Sequence, residues 1–476
     1  MSSTTTSTIT TKAAAAVGLA VETTGPPEPS LMHRSLRSRP VSVQSGSGIY
    51  LNLWNGRRVL DGCAGAAVAI LGHGHPAVQA AIVEQVAKVS YVHTAKYTTD
   101  SAEDLADLIL GTRPFGLSKA YFVGSGSEAM DSAMKLARQF HYERGETHRT
   151  KWVARRQAYH GNTVGAMSVS SNRARRVPYE DSLLLGGVSF VDPANSYRGQ
   201  LATETEEQFV ERLIKELDEE FRRIGPRSVI AFIAETVGGA TGGCVTAPKG
   251  YFERVRKLCD EYGILLILDE VMCGSGRTGS YFAFEHEGDV VPDIVTVGKG
   301  LGGGYAPIAG IYIHDKVVHA LRQGSAAYNH GHTYQAHPVS CAAALATQQV
   351  VKSLGLVEAC AEKGMILGAL LRDRLGEKKY VGDVRGRGLF WAVEFVEDKA
   401  TKKPLDLSVG FSGRLQQECF DLGLDIYPGQ GTVDGIVGDH ILLTPPLTIT
   451  PDQLQSMVDI LSNAYDTLED QLGATS

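Results

Sequence analysis

Several features that would direct a protein to a membrane or to nucleic acid are missing from this sequence. No apolar run approaches the roughly 20 residues that span a bilayer, and runs such as GILLIL (263–268) have the length of a strand. Lys and Arg number 46 against 53 Asp and Glu, which gives a net charge of −7, and no basic block stands out. We therefore expect neither a nucleic acid nor an anionic membrane as a partner.

The cysteine pattern excludes a disulfide scaffold. The chain has seven cysteines, which is an odd number, and no C-x-x-C motif. In a chain of 476 residues this pattern is typical of a reduced, intracellular protein. Residues 1–30 are rich in Ser, Thr and Ala and contain no arginine, unlike a mitochondrial transit peptide. We expect a disordered tail over residues 1–30 and a cytoplasmic location, with organelle targeting left open.

The middle of the chain, from about residue 100 to 340, alternates strand-like and helix-like segments. Hydrophobic residues make up 43% of the chain, enough for a large core and more than one domain. The strand-like segments are AYFVG (120–124), KWVARRQAYHG (151–161), SVIAFIAE (228–235), GILLILDEV (263–271), DIVTVG (293–298) and IAGIYI (308–313). This alternation predicts an α/β fold with a large, mostly parallel sheet covered by helices.

The two ends of the chain have a different order. Residues 49–61 predict a hairpin around Asn55-Gly56, and a helix beginning at Pro76 would carry apolar residues on one face. That face consists of Val78, Ile82, Val86 and Val89. Near the C-terminus, VRGRGLFWAVEFVE (384–397) reads as strand and a helix is expected from Pro451. These elements predict a smaller α+β domain that includes the N-terminal hairpin.

We accordingly divide the chain into four parts. A tail (1–30) precedes an N-terminal segment (31–90) that contributes to the small domain. A large domain (91–343) and a C-terminal small domain (344–476) follow. The functional side chains are expected where strands of the large domain end, because open α/β sheets bind ligands at the carboxyl ends of their strands.

A Gly-Ser turn follows the first of these strands. In FVGSGSEAMDSAMK a strand ends at Val123 and a helix opens near Glu128, with Ser125, Gly126 and Ser127 between them. Backbone N–H groups at a helix N-terminus, together with the helix dipole, favour an anion such as phosphate. The alternative is a serine-capped helix without a ligand. The spacing of a P-loop is absent.

Two charged residues end the next buried strands. Asp269 follows the apolar run ILLIL, where a carboxylate is costly unless it meets a cation or a donor. Lys299 follows DIVTVG and is the one charged side chain in a glycine-rich loop, GKGLGGG. A buried lysine with a lowered pKa can react with an aldehyde, although a structural Lys–Asp pair is the alternative.

The three features together match one cofactor. A phosphate-binding turn, an acid for a ring nitrogen and a lysine for an aldehyde are the groups that hold pyridoxal 5′-phosphate (PLP). The histidine pairs in LGHGHP (71–76) and HGHTYQAH (330–337) have no acidic or cysteine partner that completes a metal site, so no metal is expected.

With these motifs the sequence resembles the class III aminotransferases, which are PLP enzymes of fold type I. The most specific block is LDEVMCGSGRTGSYFAFEHEGDVVPDIVTVGKGLGGGYAPIAG (268–310), and the resemblance extends from about Gly48 to the end of the chain. It implies that Lys299 forms the Schiff base and shuttles a proton, and that Asp269 holds the pyridine nitrogen. It also implies a homodimer whose active site is shared, with Thr333 reaching the phosphate of the partner subunit.

The resemblance assigns the remaining cofactor contacts. Val271 and Tyr159 would pack on the two ring faces, with His160 and Gly161 close by. Glu235 would lie near the ring oxygen or the substrate. The phosphate would be bound by the turn Ser125, Gly126 and Ser127.

One departure concerns substrate recognition. Many members of the family carry an arginine shortly before the PPL motif, where it binds a substrate carboxylate, but residues 423–447 contain no arginine or lysine. Arg385 and Arg387 belong to a general family block and are not assigned to the substrate.

These observations predict an aminotransferase that moves an amino group from an amine or amino-acid-like donor to a keto acid by a ping-pong mechanism. A decarboxylase, racemase or aminomutase on the same scaffold is the first alternative, because a fold does not fix the reaction. A non-catalytic relative is the second.

Overall fold

The computed structural model of the chain describes residues 30–37 and 39–474. The disordered tail expected over residues 1–30 lies outside the described residues, apart from Ser30. The described residues between 30 and 42 form a unit of their own without helix or strand. Across the described ranges, no helix combines the length and the apolar character needed to cross a membrane.

Among the described residues, the segment 43–474 contains seventeen strands and fourteen α-helices. The strands are β1 (Val43–Ser47), β2 (Tyr50–Leu53), β3 (Arg58–Asp61), β4 (Leu117–Val123), β5 (Lys151–Arg155), β6 (Val188–Val191), β7 (Val229–Glu235), β8 (Val237–Gly238), β9 (Val245–Thr246), β10 (Leu265–Asp269), β11 (Ile294–Val297), β12 (Ala309–His314), β13 (Val381–Arg387), β14 (Phe390–Phe395), β15 (Leu424–Asp425), β16 (Tyr427–Gln430) and β17 (Asp439–Leu443). The helices are α1 (Ala64–Ala67), α2 (Pro76–Lys88), α3 (Asp100–Leu110), α4 (Gly126–Glu143), α5 (Val164–Val169), α6 (Arg173–Arg176), α7 (Ser196–Gly199), α8 (Glu206–Ile224), α9 (Tyr251–Tyr262), α10 (Asp315–Gln323), α11 (Pro338–Ser353), α12 (Leu356–Leu375), α13 (Phe411–Asp421) and α14 (Pro451–Gly473).

The largest sheet has seven strands in the order β4-β12-β11-β10-β7-β5-β6. The pairs from β11 to β6 are parallel, whereas β12 is antiparallel to both of its neighbours. The α/β fold with a mostly parallel sheet is therefore confirmed. Strands buried on both faces need apolar side chains at every position, which explains the unbroken runs in β7 and β10.

Helices cover both faces of this sheet. Phe232 of β7 and Leu268 of β10 belong to a core that also contains residues of α3, α8 and α9. Their neighbours Ile233 and Ile267 point to the opposite face and pack in a second core with α4 and α10. This alternation along each strand fixes which side chains face which helix layer.

The N-terminal hairpin joins the C-terminal part of the chain. β15 pairs in parallel with β3 and completes the sheet β1-β2-β3-β15. A second antiparallel sheet has the order β13-β14-β17-β16. One core cluster combines Leu60 and Val78 with Leu367, Phe395 and Leu461. These contacts build the smaller α+β part, while the domain limits at residues 90 and 343 stay a prediction.

Three local features differ from the sequence prediction. The segment 384–397, read as one strand, is the hairpin β13–β14, because Gly388 adopts a left-handed φ of 57° and reverses the chain. Helix α4 begins two residues before Glu128, since the Ser125 hydroxyl caps it by accepting from the Glu128 N–H at 3.3 Å. On α2 only Val78 is buried.

Candidate active site

Four charged or hydroxyl side chains lie at or near the carboxyl ends of adjacent parallel strands. The register pairs Asp269 at the end of β10 with Glu235 at the end of β7 and with Thr296 of β11. Lys299 follows β11 by two residues. Neighbouring parallel strands place register partners side by side on one face, so strand pairing alone brings these groups together.

Asp269 is held by three hydrogen bonds. Its Oδ1 accepts from the Val271 N–H at 3.0 Å and from the Thr296 hydroxyl at 2.9 Å. Its Oδ2 lies 2.7 Å from Nδ1 of His160. The carboxylate is 5% exposed, and this set of donors fixes its orientation.

His160 serves as the support of this carboxylate. Its backbone N–H donates to the Ser170 hydroxyl at 2.8 Å. Nε2 is buried and has no hydrogen-bond partner among the residues that the structure describes. A proton on Nδ1, donated to Asp269, satisfies the one strong contact of this ring.

Lys299 occupies a strained position. Its φ of 42° is left-handed, which a residue with a Cβ adopts at a cost of about 1 kcal/mol. Its Nζ forms no hydrogen bond or ion pair with any residue in the described ranges. Burial lowers the pKa of the amine to about 8, against the raising influence of Asp269 and Glu235. Strained backbone and an unpaired, easily deprotonated amine are typical of a functional lysine.

The N-terminus of α4 offers backbone donors. Within the described chain, the N–H groups of Gly126 and Ser127 have no acceptor, as expected for the first turn of a helix. The Ser127 hydroxyl accepts from the Asn162 N–H at 3.0 Å, which leaves its own proton available. The helix is thus capped by Ser125, and its first turn is still open to an anion. A serine cap and a phosphate-binding turn are therefore compatible interpretations of this motif.

Val271 is wedged against two glycines. A Cβ added to Gly126 would lie 2.7 Å from Cγ1 of Val271, and one added to Gly298 would lie 3.3 Å from the same atom. Larger residues at these positions would push Val271 out of place. The close packing therefore sets one wall of a narrow slot beside Asp269.

Glu235 forms the neighbouring wall. Its Oε1 accepts from the Tyr159 N–H at 3.0 Å and its Oε2 from the Gly239 N–H at 2.7 Å. Burial raises the pKa of the carboxyl, His160 opposes this rise and Asp269 adds to it. The carboxylate therefore fixes the loops on both sides of the cavity by hydrogen bonds to their backbone.

These groups line one cavity of about 440 Å³. Nine of the ten predicted site residues lie in its wall: Ser125, Gly126, Ser127, Tyr159, His160, Glu235, Asp269, Val271 and Lys299. The tenth, Thr333, is exposed and lies outside this wall. Gly161 also lines the cavity, as expected.

Some of the groups that complete the site carry no recognisable signal in the sequence. Thr296 and Ser170 support Asp269 and His160, but neither stands in a recognisable motif. Tyr305 lines the cavity, and its hydroxyl accepts from the His75 N–H at 2.7 Å. Thr296 is identified by the strand register, and Tyr305 by its long-range contact with the LGHGHP loop.

The chain as a whole resembles one protein family. Residues 32–465 match the family Aminotransferase class-III. The chain is a class III aminotransferase. The aminotransferase is 44% identical over 435 residues to an uncharacterized aminotransferase of Schizosaccharomyces pombe, covering 91% of this chain and 94% of the relative. It is also 32% identical to a diaminobutyrate–2-oxoglutarate transaminase of Halomonas elongata, over 90% and 91% of the two chains.

Solved structures agree with this assignment. An amine transaminase from an uncultivated Pseudomonas species, in its PLP-bound form, matches with a TM-score of 0.86 and 32% identity over 94% of this chain and 99% of that one. The predicted cofactor is thereby confirmed: class III aminotransferases use PLP. The residues of the cavity fit this group, because the amine of Lys299 is unpaired and the first N–H groups of α4 are open.

A metal site receives no support from the two histidine motifs. Among the described residues, one group of three possible ligands lies within 4.8 Å, namely Asp61, Cys63 and Asp425. These side chains contact one another, with Sγ of Cys63 3.7 Å from both carboxylates. Burial and the neighbouring charge of Asp61 raise the pKa of Asp425 to about 6. The expectation of no metal stays a prediction.

Proposed function

We propose that Lys299 is the catalytic base of this aminotransferase and the residue that holds its cofactor. The observation that carries the proposal is the meeting of Lys299, Asp269 and the open first turn of α4 around one cavity. When bound, PLP supplies an aldehyde that condenses with amines and a ring that accepts electrons. Each of these chemical features has a matching group in the cavity wall.

The lysine moves the proton. With a donor amine bound to the cofactor, Nζ of Lys299 would be free to take the proton from the donor carbon that bears the nitrogen. A pKa of about 8 leaves part of the amine neutral near pH 7, so it can accept this proton and release it again. Its place in the turn after β11 fixes the amine on one side of the slot.

The carboxylate of Asp269 binds the ring nitrogen. Hydrogen bonds from Val271, Thr296 and His160 hold the carboxylate in one orientation, and its negative charge keeps a bound ring nitrogen protonated. Val271 and Tyr159 would pack on the two faces of the bound ring, and the N–H groups of Gly126 and Ser127 would bind its phosphate. Glu235 keeps the Tyr159 loop in position.

The donor is an amine, and the acceptor is a keto acid. Among the described residues of the wall, Lys299 is the one lysine or arginine, whereas two carboxylates, Glu235 and Asp269, are present. An α-carboxylate on the donor would meet negative charge in such a cavity. This charge balance supports a first donor without an adjacent carboxylate, whereas the carboxylate of the keto acid, and of the amino acid formed from it, needs a cation from outside this wall.

The experiment is to add single amines to the purified holoenzyme without a keto acid and to follow the cofactor absorbance. We expect the band to change with amines, and pyruvate or 2-oxoglutarate to restore it. Parallel double-reciprocal plots with both substrates would accompany this behaviour. An absorbance that no amine changes, or carbon dioxide release without amino transfer, would contradict the proposal.

We also propose that the enzyme is a homodimer with a shared active site. Thr333 lies on the surface next to Tyr334, which is 63% exposed and packs edge-on against Tyr91. Val83 and Val86 of α2 are 69% and 53% exposed. Large apolar side chains that are this exposed favour contact with another protein surface.

Light scattering and PLP titration test the dimer together. We expect twice the chain mass in solution. The Thr333→Val variant should keep that mass but bind PLP about tenfold more weakly, as expected for one lost hydrogen bond to a charged group. A fully active monomer, or a Thr333→Val variant with unchanged PLP affinity, would contradict this role.

A reducing compartment such as the cytoplasm suits the chain. All seven cysteines are free and buried. Burial raises the pKa values of several of these thiols, for example that of Cys341 to about 12, which keeps them unreactive. Fluorescence microscopy of a tagged chain would check the location, and a signal confined to an organelle would contradict it.

A further inference from the structure

The cavity of the aminotransferase has no obvious group for the carboxylate of its acceptor. A keto acid carries a carboxylate, but the one amine of the described wall, Lys299, is assigned to the cofactor. Residues 423–447, which would supply an arginine in many relatives, contain neither arginine nor lysine. A cation from another part of the chain is therefore needed.

Arg175 is such a cation at the edge of the site. Its guanidinium carbon lies 4.8 Å from the centre of the Tyr159 ring, and Tyr159 lines the cavity. Within the described part of the chain, no carboxylate or carbonyl oxygen accepts a hydrogen bond from this guanidinium. The side chain is half-buried. Its five donors are thus available to a planar anion such as a carboxylate.

Three other arginines near the cavity are already engaged by oxygen atoms. Arg176 donates to the carbonyl oxygens of Met167 and Ser168, both at 3.1 Å. Arg155 donates to the carbonyl oxygen of Glu235, and Arg385 pairs with Asp383 at 2.8 Å. The side chain of Arg175 differs from these by its lack of an oxygen partner.

The backbone that carries Arg175 is fixed to the cavity wall. Ser171 N–H donates to the carbonyl oxygen of Ala158 at 2.9 Å, next to Tyr159. The Asn172 amide donates to the Thr241 hydroxyl at 2.8 Å, next to the lining residue Ala240. The segment is therefore rigid where it meets the cavity, while the long side chain of Arg175 keeps its rotamer freedom.

We propose that Arg175 binds the carboxylate of the keto-acid acceptor at the mouth of the cavity. The guanidinium leaves the face of Tyr159 and forms a paired hydrogen bond with the carboxylate, and it returns to the ring when an amine without a carboxylate is bound. This role rests on the proposed function. It makes Arg175 a residue that determines acceptor specificity.

A purely structural role is the competing explanation. A cation–π contact with Tyr159 could simply steady the ring, at about 0.5–1 kcal/mol for a partly exposed pair. In that case the Arg175→Met substitution would affect the binding of PLP and of every substrate alike. Acceptor binding would then show no dependence on a carboxylate.

The test separates the two half-reactions of the holoenzyme. Cofactor absorbance is followed in single turnovers with benzylamine as donor and with 2-oxoglutarate, pyruvate or butanal as acceptor. In Arg175→Met we expect the half-saturating concentration of both keto acids to rise about 10- to 100-fold, the range of a lost charged hydrogen bond. The values for benzylamine and for butanal, which lacks a carboxylate, should stay within about twofold.

Two further variants control the result. Arg173→Met removes the exposed arginine two residues away and should leave all substrates unchanged. Arg175→Lys keeps the charge without the planar donors and should restore part of the affinity for keto acids. Equal losses for all substrates, or no loss for keto acids, would overturn the role of Arg175. A wild-type enzyme inert to every amine would overturn the proposed function itself, and this role with it.

Discussion

The Asp269→Asn substitution probes the charge at the centre of the proposed site. Asparagine has the same shape, so its Oδ1 can still accept from the Val271 N–H and the Thr296 hydroxyl. The new Nδ2 faces Nδ1 of His160, which must give up its proton and protonate the buried Nε2 instead. The substitution therefore removes the negative charge and disturbs the histidine with little change in packing.

The expected decrease in the rate of the amine half-reaction follows from this geometry. Breaking a buried ion pair by removing one partner costs about 3–5 kcal/mol, which corresponds to roughly 10²- to 10⁴-fold in rate if the pair acts on the reacting ring. The rate constant of the amine half-reaction, followed by cofactor absorbance in single turnovers, measures it. Stability should fall by only about 1 kcal/mol, the value of one neutral hydrogen bond.

Thr296→Val is the matched control for this experiment. It removes one hydroxyl donor to Oδ1 and keeps the carboxylate, so the half-reaction should slow by about tenfold at most. Two results would refute the assignment of Asp269 to the ring nitrogen. One is a rate constant of Asp269→Asn within about tenfold of the wild type, and the other is a decrease in the rate constant no larger than that of Thr296→Val.

Two other predictions concern the lysine and the helix turn. Because burial lowers the pKa of Lys299 to about 8, the neutral amine that reacts with an aldehyde grows as pH rises through 8. The rate of PLP uptake by the cofactor-free enzyme should follow with that midpoint, and a midpoint near the ordinary 10.5 would contradict it. In Gly126→Ala the new Cβ meets Cγ1 of Val271 at 2.7 Å, so PLP should bind about tenfold more weakly in a fluorescence titration. Gly413→Ala on α13, where a Cβ meets nothing within 4 Å, should leave PLP affinity unchanged. Equal effects of both substitutions would contradict the role of the close packing between Gly126 and Val271.

The sequence was sufficient to predict two charged side chains, Asp269 and Lys299, at or just after the ends of buried strands. Asp269 and Lys299 could be identified because a charge after an unbroken apolar run is unusual and because open α/β sheets bind ligands at these ends. The strands β7 and β10 were recognisable because burial on both faces leaves no polar position in them. Local sequence patterns were therefore enough to predict the strands of the large sheet and most residues of the cavity wall.

The supporting contacts could not be predicted in this way. Thr296 donates to Asp269 only because β10 and β11 pair in one register, which depends on residues about 30 apart and not on a local pattern. The turn at Gly388 was missed because RGRGLF reads as continuous strand until the backbone conformation is known. Val83 and Val86 of α2 show that a face can be apolar and still exposed in the single chain.

The chemistry of substrate recognition is the least accessible from sequence. The missing arginine before the PPL motif shows what the enzyme does not use, but not which group replaces it. Arg175 stands in a run of three arginines, RARR (173–176), that the sequence does not distinguish. Only the structure shows one of them clamped by carbonyl oxygens, one on the surface and one over Tyr159.

The attachment of the cofactor to Lys299 is the central claim and can be measured directly. Borohydride reduction of the holoenzyme makes a bond between lysine and PLP permanent, and mass spectrometry of the digested protein locates it. We predict the label on the peptide that contains Lys299, and no label in Lys299→Ala. A label on another lysine of the wild type, or an undiminished label in Lys299→Ala, would contradict the account.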